Sequence, residues 1–415
     1  MNKFIDTLYY IAIKAYDGLI AIASIFNKKA ALLRTGRKNT LKQIAEYKRQ
    51  NNGKSIWIHA ASLGEFEQGR PIIEAIKERW PERKIVLSFY SPSGYEVRKN
   101  YGVADLVCYM LSDTPSNARR FLDAIQPEIV YLIKYEFWHF HITEVHKRCI
   151  PLYGVSMIFR PEQPFFASWG GWYADLLHCF NHLYVQDETS AELLNKINIS
   201  AHTVAGDSRF DRVAQIAAAA QPNDIAEKFV SDAQFVVVCG STWPPDEEVL
   251  IDYIQHSAKE MKFIIAPHET HESRIESLIS KLPADSVRYT KAPSTDQLHN
   301  ARCLVIDTIG LLSSLYKYAD FAYVGGGFGV GIHNTLEPAT FGIPIAFGPN
   351  YKKFKEAHDL IHVGAAFAIR SKEDFRSVAD KIYADKEFRE AAGAEAATYC
   401  KKMCGATKLI VEQTL

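Results

Sequence analysis

Five glycines within seven residues, Gly325-Gly326-Gly327-Phe328-Gly329-Val330-Gly331, constrain this chain more than any other stretch. They follow a short apolar run, Phe321-Ala322-Tyr323-Val324, that reads as a buried strand, and they lead into a segment able to start a helix at Asn334. Glycine permits positive φ and close approach of the backbone to a ligand. A helix that follows offers free N–H groups and its positive dipole end to an anion. The arrangement suits a nucleotide phosphate. The run is not GxGxxG and lacks the Lys-Ser/Thr of a P-loop, so neither NAD nor a P-loop nucleotide is favoured. Glu337, three residues after Asn334, has two readings: a capping-box glutamate, or a carboxylate that accepts hydrogen bonds from a ribose diol.

The 415 residues are enough for two α/β domains, and 47% hydrophobic with 23% charged residues is ordinary for a globular protein. A formal net charge of zero argues against a nucleic-acid partner. The seven cysteines lie mostly in apolar runs and read as reduced core residues. Cys400 and Cys404 share a helical face without a further His or Cys nearby, so they read as structural filler.

Residues 1–50 carry ten Lys/Arg against three Asp/Glu. Phe4, Leu8, Ile11, Ala15, Leu19, Ile22 and Phe26 form one helical stripe, followed by Lys28, Lys29, Arg34, Arg37, Lys38 and Lys42. Lys and Asp inside the apolar part exclude a signal peptide and a spanning helix. An amphipathic helix lying in the interface of an anionic membrane is preferred over an ordinary helix packed on the domain.

Strands then alternate with helices in the βα manner from Ile56-Trp57-Ile58-His59 to Thr203-Val204-Ala205-Gly206, and again from Phe235 to Phe347. The expected organisation is a membrane-associating segment over 1–50, a Rossmann-like domain over 51–212, a second over 225–371, and C-terminal helices over 372–415. Ligands then belong beyond the carboxyl ends of the strands, in a cleft between two such domains. Five strand ends carry polar or glycine-rich turns: Ala60 to Glu65, Lys134 to Glu136, Gly240 to Pro244, Pro267 to Glu269, and the glycine run. Glu65, at the start of a helix, is placed to act as a general base toward an attacking sugar hydroxyl. Taken alone, a helix-start glutamate stabilised by the dipole is the commoner finding. Trp169, Trp172 and Tyr173 read as a packed aromatic loop before a lipid contact.

His59-Ala60-Ala61-Ser62-Leu63-Gly64-Glu65, Gly240-Ser241-Thr242, Ala266-Pro267-His268-Glu269, Asp307-Thr308-Ile309-Gly310 and Gly325 through Pro349 together resemble the 3-deoxy-D-manno-octulosonic acid (Kdo) transferases of lipopolysaccharide synthesis. Gly206 through Asp211 matches a mid-chain signature of that family loosely. The resemblance implies a GT-B fold, two Rossmann-like domains facing across a cleft, and inverting transfer of Kdo from CMP-Kdo to a lipid A precursor. It implies work at the cytoplasmic face of the inner membrane, with no metal or other cofactor. Carried over, Glu65 would be the general base. Pro267, His268, Ile309, Gly310, Leu311, Asn334, Thr335, Leu336 and Glu337 would hold CMP, together with the Gly240-Ser241-Thr242 turn. Arg209 or Arg160 would help His268 to neutralise phosphate.

The sequence departs from the family at several of these places. His268 stands where arginine is common, Leu311 where glutamate is common, Thr335 where proline follows the asparagine, and Lys134 where a carboxylate often precedes Tyr135-Glu136-Phe137-Trp138. The alternatives are another GT-B nucleotide-sugar enzyme using a UDP-sugar, either transferase or epimerase, or a non-catalytic nucleotide-binding protein at the membrane.

Overall fold

The computed structural model describes residues 3–51 and 53–415. They form two compact units, Met1–Arg212 with Cys404–Leu415, and Val213–Met403. Unit 1 opens with α1 (Lys3–Ala23), α2 (Lys28–Gln50), β1 (Ser55–Ala60) and α3 (Leu63–Arg79). Its remaining strands are β2 (Ile85–Phe89), β3 (Leu106–Tyr109), β4 (Pro127–Ile133), β5 (Leu152–Met157), β6 (His182–Val185) and β7 (His202–Val204). All seven pair in parallel, in the order β3-β2-β1-β4-β5-β6-β7. Every residue of β1 is buried because helices cover both faces of the sheet. Trp57 joins the core on one face with Val130 and Leu152, while Ile56 and Ile58 join the core on the other.

Unit 2 repeats the architecture. Its strands are β8 (Phe235–Thr242), β9 (Met261–Pro267), β10 (Val287–Arg288), β11 (Cys303–Val305), β12 (Phe321–Val324), β13 (Ile345–Phe347) and β14 (Ala366–Ala368), in the parallel order β10-β11-β9-β8-β12-β13-β14. Strand order reverses between β1 and β4 in unit 1 and between β8 and β12 in unit 2. Crevices therefore open beyond the carboxyl ends of those pairs. The turns after them are those that the sequence singles out: Ser62 to Glu65, Lys134 to Glu136, Ser241 to Trp243, and the glycine run.

The amphipathic stripe stays outside. No residue of α1 is buried, and Leu19 and Ile22 are 64% and 62% exposed. The opposite edge of α1 ties the helix down: Tyr9 donates its hydroxyl to Asp113 (2.7 Å), and Asp6 lies 3.1 Å from His139. The basic segment differs from a purely membrane-facing one, because α2 buries Leu33, Thr40 and Ile44, and Ile44 belongs to the unit 1 core. Trp172 packs against Tyr9 and His139, whereas Trp169 stands 72% exposed, so the aromatic loop is only partly packed.

Asp113 is fully buried and also accepts from the amides of Phe140 (3.1 Å) and His141 (2.9 Å) and from the His141 ring (2.6 Å). Burial pushes its carboxyl up, but the His141 contact, Tyr9 and the Phe140 amide outweigh it, so the group lies below the usual carboxylate range. Its contribution is full above the unfolded value near pH 4 and is lost as pH falls through the depressed folded value. Tyr9→Phe is expected to cost about 1.5–3 kcal/mol in urea unfolding, as for a hydrogen bond to a charged group, and to complete the acid loss at higher pH because the folded value rises.

The stretch 372–415, read in sequence as one set of C-terminal helices, divides between the units. Helices Lys372–Ala384 and Lys386–Met403 belong to unit 2. The last helix, Ala406–Thr414, returns to unit 1, where Ile410 and Val411 join the core beside Ile56 and Ile58. Asp211 caps its start by accepting from the Gly405 amide (2.6 Å) and the Thr407 amide (2.7 Å).

Candidate functional site

Two clusters stand at the strand ends, one in each unit. In unit 1, Ser62 caps α3 in extended backbone, which puts Glu65 in the first turn. Its hydroxyl does not cap a backbone N–H; it donates to the Glu65 carboxylate instead. Glu65 is half-buried. Tyr135 adjoins it: burial raises the phenol, Arg160 opposes, and the charges of Glu65 and Asp187 raise it further. Lys134 holds left-handed backbone (φ 65°) with its ammonium 5.4 Å from the Tyr135 ring. A non-glycine residue held there costs about 1–2 kcal/mol, so surrounding contacts must fix the turn.

Those contacts lie beneath it. Glu136, nearly buried, accepts from His59 Nε2 (2.8 Å) and from the indole of Trp138 (2.5 Å). The other ring nitrogen of His59 meets the Ser88 hydroxyl (2.8 Å), which also receives the Trp57 indole N–H (2.8 Å). One buried network thus joins the ends of β1, β2 and β4, the strand ends from which the Glu65 and Tyr135 turns leave. His59 and Glu136 each stand within a recognisable motif, but neither role is legible there. Their pairing spans 77 residues and has no local signal.

The Gly206-to-Asp211 stretch does structural work. Asp207 accepts from Gln68 (3.0 Å) on α3, and Ser208 donates to the Gln68 carbonyl (2.5 Å). Arg209, expected to neutralise phosphate, lies in unit 1 with its Nε on Asp207 (2.8 Å).

In unit 2 the glycine run serves the chain's own packing. A Cβ on Gly325 would sit 2.3 Å from the Ser241 carbonyl, and Gly326 takes φ 91°. The side chain that fixes the run is Asp246, which sequence reasoning missed. Fully buried, it accepts from the amides of Trp243 (2.9 Å) and Gly326 (2.8 Å) and from the Tyr323 hydroxyl (2.8 Å). Its position three residues after Trp243, at a helix start, was the available signal.

The predicted helix at Asn334 begins two residues later and is short, Leu336–Thr340. Asn334 accepts from the Leu336 amide (3.1 Å) and donates to Glu337 (3.1 Å), and Ser313 donates to the other Glu337 oxygen (2.9 Å). The Glu337 carboxylate thus takes side-chain donors where a capping box would take the cap amide. Thr335 and Leu336 are buried, so their backbone is what they can offer a ligand. Ile309 is 87% exposed and Gly310 has open space beside it, which leaves the loop before Leu311 accessible.

His268, which follows Pro267 at the end of β9, stacks against the rings of Trp243 (4.6 Å) and His333 (4.5 Å). Burial, and then His268, hold His333 below the ordinary imidazole range, so it is neutral at pH 7 and its Nε2 accepts the Trp243 indole N–H (3.0 Å). Ser241, on the turn between them, has left-handed backbone (φ 53°). The structure thus gathers Gly240, Ser241, Thr242, Pro267 and His268 at two neighbouring strand ends, and joins Asn334 to Glu337 in a third turn.

Two tandem parallel-sheet units of this topology define the GT-B class, and a UDP-GlcNAc 2-epimerase from Neisseria meningitidis has the same fold. It superposes with a TM-score of 0.60 over 87% of this chain and 99% of that one, at 14% identity. Residues 36–212 match the family described as 3-deoxy-D-manno-octulosonic-acid transferase. Transferases of that name from Rickettsia bellii and Bordetella pertussis are 25% and 26% identical, over 82% and 85% of both chains respectively. The chain is a GT-B glycosyltransferase. It carries a Kdo transferase domain over residues 36–212 and is similar to Kdo transferases over most of its length.

Proposed function

We propose that this enzyme transfers Kdo from CMP-Kdo to a lipid A precursor with inversion, Glu65 acting as general base. The observation that carries the reading is Glu65 itself: a half-buried carboxylate at the β1–β4 switch point, oriented by Ser62, at strand ends tied together by the His59–Glu136 pair. Glu65 takes the proton of the attacking hydroxyl as the new bond to the anomeric carbon forms. CMP leaves from the opposite face with the electrons of the broken bond. In unit 2, Asn334 to Glu337, Ile309 to Leu311 and the Gly240-Ser241-Thr242 turn hold the nucleotide, with Pro267 and His268 beside it. Arg160, near Glu65, and Arg209 are the cations offered to the departing phosphate. These groups supply the proton transfer and charge neutralisation without a metal or other cofactor.

Among the described residues no helix is long and apolar enough to cross a membrane. The reading for α1 is peripheral contact with anionic lipid at the cytoplasmic face of the inner membrane, supported by its exposed stripe and the lysines that begin α2. Leu19→Glu with Ile22→Glu is expected to lower vesicle binding roughly 10²-fold, the loss of two apolar side chains from the interface, and to leave the far-UV spectrum unchanged.

Transfer of labelled Kdo from CMP-Kdo generated in the assay to a lipid A precursor in detergent tests the reaction. A folded, CMP-binding protein that transfers nothing sinks it. Calorimetry should show CMP binding at least about tenfold tighter than UDP, a difference near 1.4 kcal/mol; the reverse preference would mark a UDP-sugar enzyme.

A further inference from the structure

A cavity of unit 1 stands apart from the Glu65 cluster in its lining. It lies between α1, α2, the segment after β3 and helix Pro115–Ile125, and encloses about 370 Å³. Its polar lining is strongly one-signed: Arg34, Arg37, Lys38 and Arg120 against the single carboxylate of Asp17. Arg34, Lys38 and Arg120 are exposed at the mouth. Arg37 is deeper, with its side chain only 11% exposed.

Arg37 is incompletely satisfied. Its Nη1 lies 3.6 Å from Asp17, which also accepts the Ser112 hydroxyl (2.6 Å), and its guanidinium lies over the Tyr90 ring at 4.5 Å. It also reaches the Tyr90 hydroxyl, and its Nε and Nη2 are buried without a well-aligned hydrogen bond. Buried guanidinium donors left unmet are costly, and an anion with several oxygens would meet them. The remaining wall is apolar, from Ile20, Leu41 and Leu111, and Ile20 belongs to the helix whose outer stripe is bare. A site combining a guanidinium fork, flexible cations at the rim and an apolar wall beside an interfacial helix suits one chemistry, a phosphate carried on an amphiphile.

We propose that this cavity binds the phosphate of a phosphorylated lipid headgroup, with Arg37 as the fixed fork and Arg34, Lys38 and Arg120 closing around it. The inference rests on the reading of α1 as a membrane-facing helix and adds to it a discrete site. The cavity lies past the carboxyl end of β3, and all seven strands run parallel. A lipid held there is therefore held at the same end of the sheet as Glu65.

The test compares two pairs of substitutions that remove equal charge from α2 and its surroundings. Arg34→Gln with Arg120→Gln removes charge from the cavity rim, and Lys28→Gln with Lys29→Gln removes it from the exposed start of α2. Each is measured by co-sedimentation of the full chain with phosphatidylcholine vesicles carrying phosphatidic acid, and with vesicles carrying oleic acid at matched surface charge. A smeared field depends on charge count and treats the pairs alike. The site predicts that the rim pair loses about tenfold more affinity than the α2 pair on phosphatidic acid and no more than it on oleate. Arg37→Lys, which keeps the charge and removes the fork, should erase the preference for phosphatidic acid.

Equal losses in the two pairs, or a wild type indifferent to the headgroup, overturn the site and leave membrane contact standing. Inorganic phosphate that displaces the protein from phosphatidic acid at equal concentration assigns the cavity to free phosphate and overturns the lipid. A wild type that binds neither vesicle overturns the membrane reading of α1 together with the site.

Discussion

Glu65→Ala is expected to lower the rate of Kdo transfer by about 10²–10⁴-fold, the usual worth of a positioned general base, while leaving CMP affinity within twofold or so of wild type. The reason for the split is structural. Glu65 sits in unit 1 with Ser62 and Tyr135 beside it, and the residues proposed to hold CMP, the phosphate-directed Arg160 and Arg209 apart, are all in unit 2. Stability should change little, because a half-buried carboxylate at a helix start contributes about 0.3–1 kcal/mol through the dipole. Glu65→Gln is the sharper variant. It keeps an acceptor for the Ser62 hydroxyl and removes only the capacity to take a proton, so its rate should fall as far as that of the alanine variant. Single-turnover transfer with saturating donor decides the matter. An undiminished rate in either variant removes Glu65 from the chemistry, and a fall confined to the acceptor KM would make it a binding residue.

The second large effect is expected at Asp246. Replacing it with alanine leaves the amides of Trp243 and Gly326 and the hydroxyl of Tyr323 without their acceptor in a fully buried place. The cost is about 3 kcal/mol or more, from three buried neutral donors left unmet at about 1–3 kcal/mol each. The loss should be local as well as global. Gly326 holds left-handed backbone at the start of the loop that leads to His333 and Asn334, so freeing its amide unfastens the nucleotide-side turn. Hydrogen exchange of a peptide spanning 321–333 should accelerate strongly in Asp246→Ala, and CMP titration should show weakened binding. Unchanged protection of that peptide would show that Asp246 does not hold the run. Asp246→Asn should be intermediate, since the amide oxygen replaces one acceptor while its NH₂ faces donors.

Much of the architecture is legible in the sequence because parallel strands covered on both faces are continuous apolar runs. Ile56 to His59 and Phe235 to Cys239 stand out for this reason, and so do the polar turns that follow them. The strands that escape sequence reading are β10, with two residues, and β14, with three, both at sheet edges where pattern is too short to count. The apolar stripe of α1 is visible as a pattern, but its orientation is not: only the contacts of Tyr9 and Asp6 show that the stripe is turned outward.

The candidate site is legible where a motif carries its own geometry and hidden where partners meet through the fold. Glu65 follows from a strand, a tight turn and a helix start in seven residues. The His59–Glu136 pair and the Asp246–Gly326 bond join residues 77 and 80 positions apart, and composition or spacing says nothing of either. Glycine is the instructive case. The run at Gly325 reads as room for a ligand, yet Gly325 and Gly327 are needed because the run packs against Ser241 and Gly348, leaving no space for a Cβ.

The cap that Asp211 places on the last helix bears on how the chain is made. Unit 1 receives Ile410 and Val411 into its core only when Cys404 to Leu415 have left the ribosome. Everything from Val213 to Met403 is synthesised first. The nascent amino-terminal sheet must therefore wait, with part of one face uncovered, for the whole of the second unit. Truncation before Cys404 would therefore damage the amino-terminal unit by removing residues that follow the whole of the second.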